Sequence, residues 1–124
     1  MATVTSTVPA SAVGTEILRR AYITDLNSDA DEKLIDGASN YTYTVLSVTF
    51  CDGSATGTAE QINMWIMGSG STRIDIISKA DLPATGTYVF NDKFMLAETD
   101  ELLVGVQSSA DIDVYCTYIE QRWA

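Results

Sequence analysis

Apolar residues recur at every second position over short stretches of this chain, and turn-forming residues separate the stretches. In residues 112–120, Ile112, Val114, Cys116 and Tyr118 alternate with other side chains. A period of two is typical of a β-strand that buries one face. Such segments recur about every ten residues, and we find no helical period. The pattern predicts eight or nine short strands: 17–23, 33–36, 41–51, 61–67, 73–78, 87–90, 93–96, 102–107 and 112–120.

Short, evenly spaced strands predict an all-β fold. The short connections favour antiparallel pairing, and the strand number fits a two-sheet, jelly-roll-like β-sandwich. The 124 residues are enough for one domain with a sizeable core. In the segment 41–51 the apolar positions change parity after Val45, which indicates a β-bulge or a strand that passes between two environments.

Residues 1–14 are rich in Thr, Ser, Ala and Val and show neither the period of two of a strand nor the period of a helix. We assign them to an extended N-terminal arm and residues 15–124 to the β-sandwich domain. The arm is either a disordered terminus or a segment that orders on a neighbouring subunit. Trp123 follows the last strand and either packs on the sandwich or docks on a neighbour. The interface candidates are Val4, Val8, Pro9, Arg19, Arg20 and Trp123.

The composition is strongly acidic, with a net charge of −10 and a pI near 4.1. Such a surface repels phosphates, which argues against direct binding of nucleic acid. It favours steering toward a basic partner, and salt weakens that steering. No apolar stretch is long enough to span a membrane and the N-terminus does not resemble a secretory signal, so we expect a protein that is made and kept in the cytosol or released by lysis. The chain contains no histidine, which excludes Ser-His and Cys-His triads and the common zinc sites.

An acidic loop at residues 25–36 offers oxygen ligands at alternate positions, as a hard cation such as Ca²⁺ requires. Ala30 stands where a calcium loop has glycine, and the last ligand is shorter than the usual bidentate Glu. A solvated loop is the favoured interpretation, so we expect no cofactor and keep Ca²⁺ as the alternative. The candidate ligands are Asp25, Asn27, Asp29, Asp31 and Asp36.

Two further features bear on possible chemistry. Glu98, Asp100 and Glu101 crowd onto one short turn, whereas a glycosidase needs two carboxyl groups across a cleft, so we interpret them as a surface turn. Cys51 and Cys116 lie within predicted strands among apolar residues. Free, buried thiols are favoured for a cytosolic product, and a disulfide stays open because sequence does not show whether the two strands are neighbours.

Two segments resemble the small β-sandwich virion proteins of tailed bacteriophages. They are "YTVLSVTFCDGSATG" and "ADLPATGTYVFNDKFMLAETDELLVGVQSSADIDVYCTYIE", which together cover most of residues 41–120. The resemblance lies in turn chemistry and strand alternation. Thr99-Asp100 replaces the usual Gly-Asp before the "L-x-V" strand, and the first 40 residues show no such resemblance.

The resemblance implies a capsid decoration, or cement, protein. Such a protein would bind the major capsid protein on the outer capsid surface as a homotrimer or homodimer and stabilise the head without catalysis. The alternative is a tail, neck or fibre-associated protein that binds a receptor or a glycan. An enzyme ranks third, because no convergent set of carboxylates or metal ligands is visible in the sequence.

Overall fold

A computed structural model describes residues 2–4, 13–27, 32–53, 59–68, 70–107 and 112–123, and for residues 2–4 it describes the backbone alone. Within these ranges all regular structure is β, with no helix. The strands are β1 (Ala2–Val4), β2 (Glu16–Leu26), β3 (Glu32–Asp36), β4 (Tyr41–Asp52), β5 (Glu60–Met67), β6 (Arg73–Leu82), β7 (Thr87–Phe90), β8 (Phe94–Ala97), β9 (Glu101–Val106) and β10 (Ile112–Arg122).

The strands form two antiparallel sheets. Sheet A has the order β1-β2-β10-β4-β7, and β8 pairs with β4 beyond the end of β7. Sheet B has the order β3-β9-β5-β6. The prediction of an all-β, antiparallel, two-sheet sandwich is confirmed.

The strand order is that of a jelly roll. Strand β2 pairs with β10, β3 with β9, β4 with β7 and β8, and β5 with β6. The chain from β2 to β10 is therefore one long antiparallel hairpin, closed between β5 and β6 and rolled into two layers. Each predicted strand corresponds to one of β2–β10. Strand β1 was not predicted, because three residues are too few to show a period; it pairs with Tyr22–Thr24 of β2.

The core lies between the inner faces of the two sheets. On β10 the inward residues are Ile112, Val114, Cys116 and Tyr118, as the alternation predicted. Strand β4 keeps one face inward along its whole length because a bulge lies at Leu46, between the pairs Ser47–Thr117 and Val45–Tyr118. The predicted bulge is confirmed, and it lets Tyr43 and Val45 before it and Val48 and Phe50 after it all face the core.

One end of the core is polar. Arg19 points inward and its Nε lies 2.9 Å from a carboxylate oxygen of Glu120. Nearby, the hydroxyl of Tyr43 accepts a hydrogen bond from the backbone N–H of Ala38 at 3.0 Å, and its ring packs edge-on against Tyr118. The two buried tyrosines and the ion pair tie β2, β4 and β10 together at this end.

Candidate binding surface

The outer face of sheet A, here called the A face, carries three parallel rows of side chains fixed by strand register. The tyrosine row contains Tyr22, Tyr115, Thr49 and Val89. The leucine row contains Leu18, Ile119, Thr44 and Met95. Between them the hydroxyl row contains Arg20, Thr117 and Ser47. Two partly apolar rows therefore flank a polar row at equal spacing.

Much of the apolar surface on the A face is exposed to solvent. Leu18 is 67% exposed, Met95 61%, Val89 56% and Tyr115 44%. Three other large apolar side chains in the described ranges are exposed: Ile74 on β6 of sheet B, Val13 before β2 and Trp123 after β10. Single exposed apolar residues are ordinary, but a group on one face marks an interaction surface.

Charge separates the two outer faces of the sandwich. Among the described residues of β2, β4, β7, β8 and β10, the exposed charged side chains are those of Glu16, Arg20, Asp25 and Asp113. The outer face of sheet B is dense in charge and includes the ion pairs Lys33–Glu101 and Arg73–Asp75. Depletion of charge is typical of the core of a protein interface. In a chain of net charge −10, this contrast identifies the A face as the surface suited to contact.

A shallow, open depression of about 320 Å³ lies on the A face, where β2, β10 and β4 run side by side. Tyr22 and Tyr115 are direct cross-strand partners and line it together with Asp113 and Cys51. Arg20 lies over the Tyr22 ring, 5.5 Å from its centroid. The depression thus combines aromatic faces with one positive and one negative group.

The sheet edges are less suited to pairing with another chain. Strand β6 is the longest edge of sheet B, but its register with β5 shifts twice and Lys79 adopts a φ of 52°. Bulges and charged residues on an edge strand oppose the addition of a further strand. In sheet A, the edge next to β4 is formed by β7 and β8, which are only four residues long each and offer little backbone for pairing. The A face therefore offers a larger continuous surface for contact than either of these sheet edges.

The predicted calcium ligands are only partly described. Asp25 lies in β2 with a φ of 58°, and its backbone N–H donates to the carboxylate of Asp113 at 3.4 Å. Asn27 and Asp36 are exposed, whereas Asp29 and Asp31 lie outside the described residues. Among the residues that are described, no group of three metal-ligating side chains comes together. The calcium loop stays a prediction.

The interface candidates occupy different environments. Val4 lies in β1, opposite Tyr22, and Val8 and Pro9 lie outside the described ranges. Trp123 is exposed, and its backbone N–H donates to the carbonyl of Asn40 at 3.0 Å. The two arginines lie on opposite faces of β2: Arg19 is inside the sandwich and Arg20 on the A face.

The two cysteines are free and lie on opposite faces of sheet A. Cys51 is half-buried on the A face, whereas Cys116 is buried in the core. Burial raises the pKa of the Cys116 thiol to about 12. Cys51 therefore serves as a chemical probe of the A face, and Cys116 is an internal control that stays protected while the protein is folded.

We expect the protein to lose stability as pH rises from about 9 to about 12. The pKa of Cys116 rises from 9.0 to about 12 on folding, and that of Tyr118 from 10.0 to about 12, both mainly through burial. In this window the unfolded chain has already lost protons that the folded chain retains, so the free energy of unfolding falls with pH. Urea unfolding of Cys116→Ala should show a smaller alkaline loss than the wild type, whatever its stability at neutral pH. Cys51→Ala is the control, and an equal loss in all three proteins contradicts the assignment.

Sequence reasoning did not single out Leu18, Val89 and Met95 as binding residues. Their signal is present in the sequence, since each is an apolar residue of the parity opposite to the buried positions of its strand. In "TYVF" and "FMLA", however, both parities carry large apolar residues. A period of two cannot tell inside from outside there.

Comparison with known proteins gives a fold likeness and no family. No family model matches the sequence, and neither does any curated protein. The structure is similar to a chain from the disulfide-linked pili that form Bacillus endospore appendages, with a TM-score of 0.55 and 13% identity, over 96% of this chain and 100% of that one. At this identity the likeness is one of fold alone.

Two other solved structures are less similar. The CBM22-1–GH10 modules of Clostridium thermocellum xylanase 10B, complexed with xylohexaose, give a TM-score of 0.47 at 15% identity, over 84% of this chain and 24% of that one. A chain of infectious bursal disease virus, Gx strain, gives a TM-score of 0.38 at 11% identity, over 97% of this chain and 43% of that one. In the described part of the chain no helix is long and apolar enough to cross a membrane.

Proposed function

We propose that this protein is a non-enzymatic structural subunit of a virion and that it joins the particle through the A face. The main evidence is that exposed apolar side chains cluster on a face with few charges, although the chain as a whole is strongly acidic. Burying Leu18, Val89, Met95 and Tyr115 would remove apolar area from water, which drives most protein association.

The finer proposal is a capsid decoration protein that binds the major capsid protein on the outside of the head. It is supported by the sequence resemblance to phage decoration proteins. The likeness to a pilus chain is consistent with a sandwich that is used for assembly, although it shows a shared fold and no more. An acidic chain also suits a partner with a basic surface. The arm of residues 1–14 remains a candidate second contact.

Copy number in purified particles tests this proposal directly. A protein that covers an icosahedral lattice is present in on the order of hundreds of copies. Quantitative mass spectrometry that finds about a dozen copies instead would move the protein to the tail or neck. Absence from the particle would overturn the proposal.

The substitution Leu18→Glu should reduce incorporation into particles, because it places a charge in the leucine row of the apolar surface that is to be buried. Ile74→Glu is a matched control: Ile74 is 52% exposed but lies on β6 of sheet B. Alkylation of the wild-type Cys51 should be slower in particles than in dilute free protein, in which copies are not paired, since this thiol lies on the same face. Equal incorporation of both variants, with Cys51 as reactive as in the free protein, would show that the A face is not the contact surface.

Glycan binding is a second candidate, and the depression is the observation that favours it. Aromatic rings can pack against the apolar face of a sugar, while Arg20 and Asp113 can exchange hydrogen bonds with its hydroxyl groups. Such a role would fit the tail or fibre alternative. Binding of the purified protein to an array of soluble oligosaccharides tests it, and an array without binding would remove this candidate.

A further inference from the structure

We infer that the A face of one copy binds the A face of a second copy, around a two-fold axis that lies along the hydroxyl row. The inference rests on the proposed function: it assigns the assembly contact of the A face to a second copy, so that the pair binds the major capsid protein through its other surfaces. It follows from the symmetry of the three rows, from the area of the face and from the small number of charges on it.

A two-fold axis in the plane of the contact, perpendicular to the strands, places each strand opposite its own copy with the direction reversed. Rows at equal distances on either side of the axis then face each other. The tyrosine row packs on the partner's leucine row, and the reverse contact is made at the same time. Tyr115 meets the partner's Ile119, and Val89 meets the partner's Met95. Each exposed apolar side chain of the face thereby gains an apolar contact.

The row on the axis tolerates burial. The hydroxyls of Ser47 and Thr117 are 3.1 Å apart and hydrogen-bond to each other within one copy, so they can leave water without losing a partner. Arg20 leans off the row and over the Tyr22 ring. Because the axis reverses this direction in the second copy, the two guanidinium groups are displaced away from each other.

The area is sufficient for a stable pair. Strands β2 and β10 have 11 residues each, or about 36 Å in length, and four neighbouring strands span about 19 Å. The face therefore offers roughly 700 Å² per copy, close to the ~800 Å² per partner of a standard interface. The acidic side chains of Glu16, Asp25 and Asp113 lie near the ends of β2 and β10, at the rim of this contact. The two copies of net charge −10 repel at long range. Salt should therefore strengthen this association, whereas it would weaken binding to a basic partner.

Charge substitutions at facing positions test the axis. The single variants Val89→Glu and Met95→Lys should each weaken the dimer about tenfold or more, because each buries an unpaired charge. The double variant should restore dimerisation, since the carboxylate introduced at position 89 of each copy then faces the ammonium group introduced at position 95 of the other. Sedimentation equilibrium of the full chain over a concentration series measures all four dissociation constants. Ile74→Glu is the control that should leave the dimer unchanged.

Each outcome decides the inference. A concentration-dependent dimer that is lost in both single variants, restored in the double variant and strengthened by salt supports it. A wild type that stays monomeric, a dimer indifferent to both substitutions, or a double variant as weak as the singles overturns it. The proposed function has a separate test: it fails if Leu18→Glu is incorporated into particles as well as Ile74→Glu. A monomeric wild type whose incorporation still depends on Leu18 would overturn the second copy as partner and leave the contact face in place.

Discussion

Gly37→Ala should destabilise the protein by at least about 3 kcal/mol, at the upper end of what overpacking costs. A Cβ at Gly37 would lie 2.1 Å from the carbonyl oxygen of Glu98 and 2.3 Å from that of Asp100. Both atoms belong to the backbone of the β8–β9 turn, which cannot swing aside as a flexible side chain can. The N–H of Gly37 also donates to the Asp100 carbonyl at 3.0 Å, so the two chain segments are held in contact.

Gly68→Ala is the matched control for this prediction. Its Cβ would meet the Thr72 carbonyl oxygen at 3.6 Å and a carboxylate oxygen of Asp100 at 3.7 Å, which are ordinary contacts. We expect its free energy of unfolding to change by less than about 1 kcal/mol. Urea unfolding of both variants measures the difference. Similar stabilities would mean that the β3–β4 and β8–β9 turns are not packed as described.

Glu120→Leu should be the second strongly destabilising change, with a loss of about 3–5 kcal/mol. The ion pair between Arg19 and Glu120 is buried, with side-chain exposures of 4% and 12%. Removing the carboxylate leaves the guanidinium inside the sandwich without this partner, and the cost of desolvating a charge then falls on the folded state. Thermal and urea unfolding at neutral pH provide the measurement.

An exposed ion pair gives the contrast. Arg73 and Asp75 are 48% and 51% exposed at a similar distance, 2.8 Å, so Asp75→Ala should cost less than about 1 kcal/mol. The double variant Arg19→Met/Glu120→Leu should recover most of the loss, because an apolar pair no longer buries a charge. A double variant no more stable than Glu120→Leu alone would show that the arginine has further structural roles that methionine cannot supply.

The positions of the strands could be predicted from the sequence, but which strands pair with each other could not. Alternation along β10 identified both the strand and its buried face, and the parity change after Val45 identified the bulge in β4. The pairing of β2 with β10 could not be predicted, because Arg19 and Glu120 are 101 positions apart and a period of two carries no information about partners. The contact at Gly37 was hidden for the same reason, since it depends on a turn about 60 residues away.

The candidate surface was predictable only in part. Arg20 is an interface candidate from the sequence and Tyr115 an aromatic residue on a predicted strand, but the rows of the A face arise from cross-strand register among β2, β10, β4, β7 and β8. Val89 and Met95 lie on short strands whose two faces are both apolar. Which of those faces is outermost depends on the second sheet, and one strand alone does not contain that information.

The position of β10 in sheet A has a consequence for biosynthesis. This strand lies in the middle of the A face, with β2 on one side and β4 on the other, yet it is the last strand of the described chain. A nascent chain that stops before residue 112 therefore cannot build the face at all, and it holds β2 and β4 as unpaired edges. Long-range pairing of this kind is slow to form. The A face would thus form in one step when β10 pairs with β2 and β4, so that a chain without this strand presents no partial contact surface.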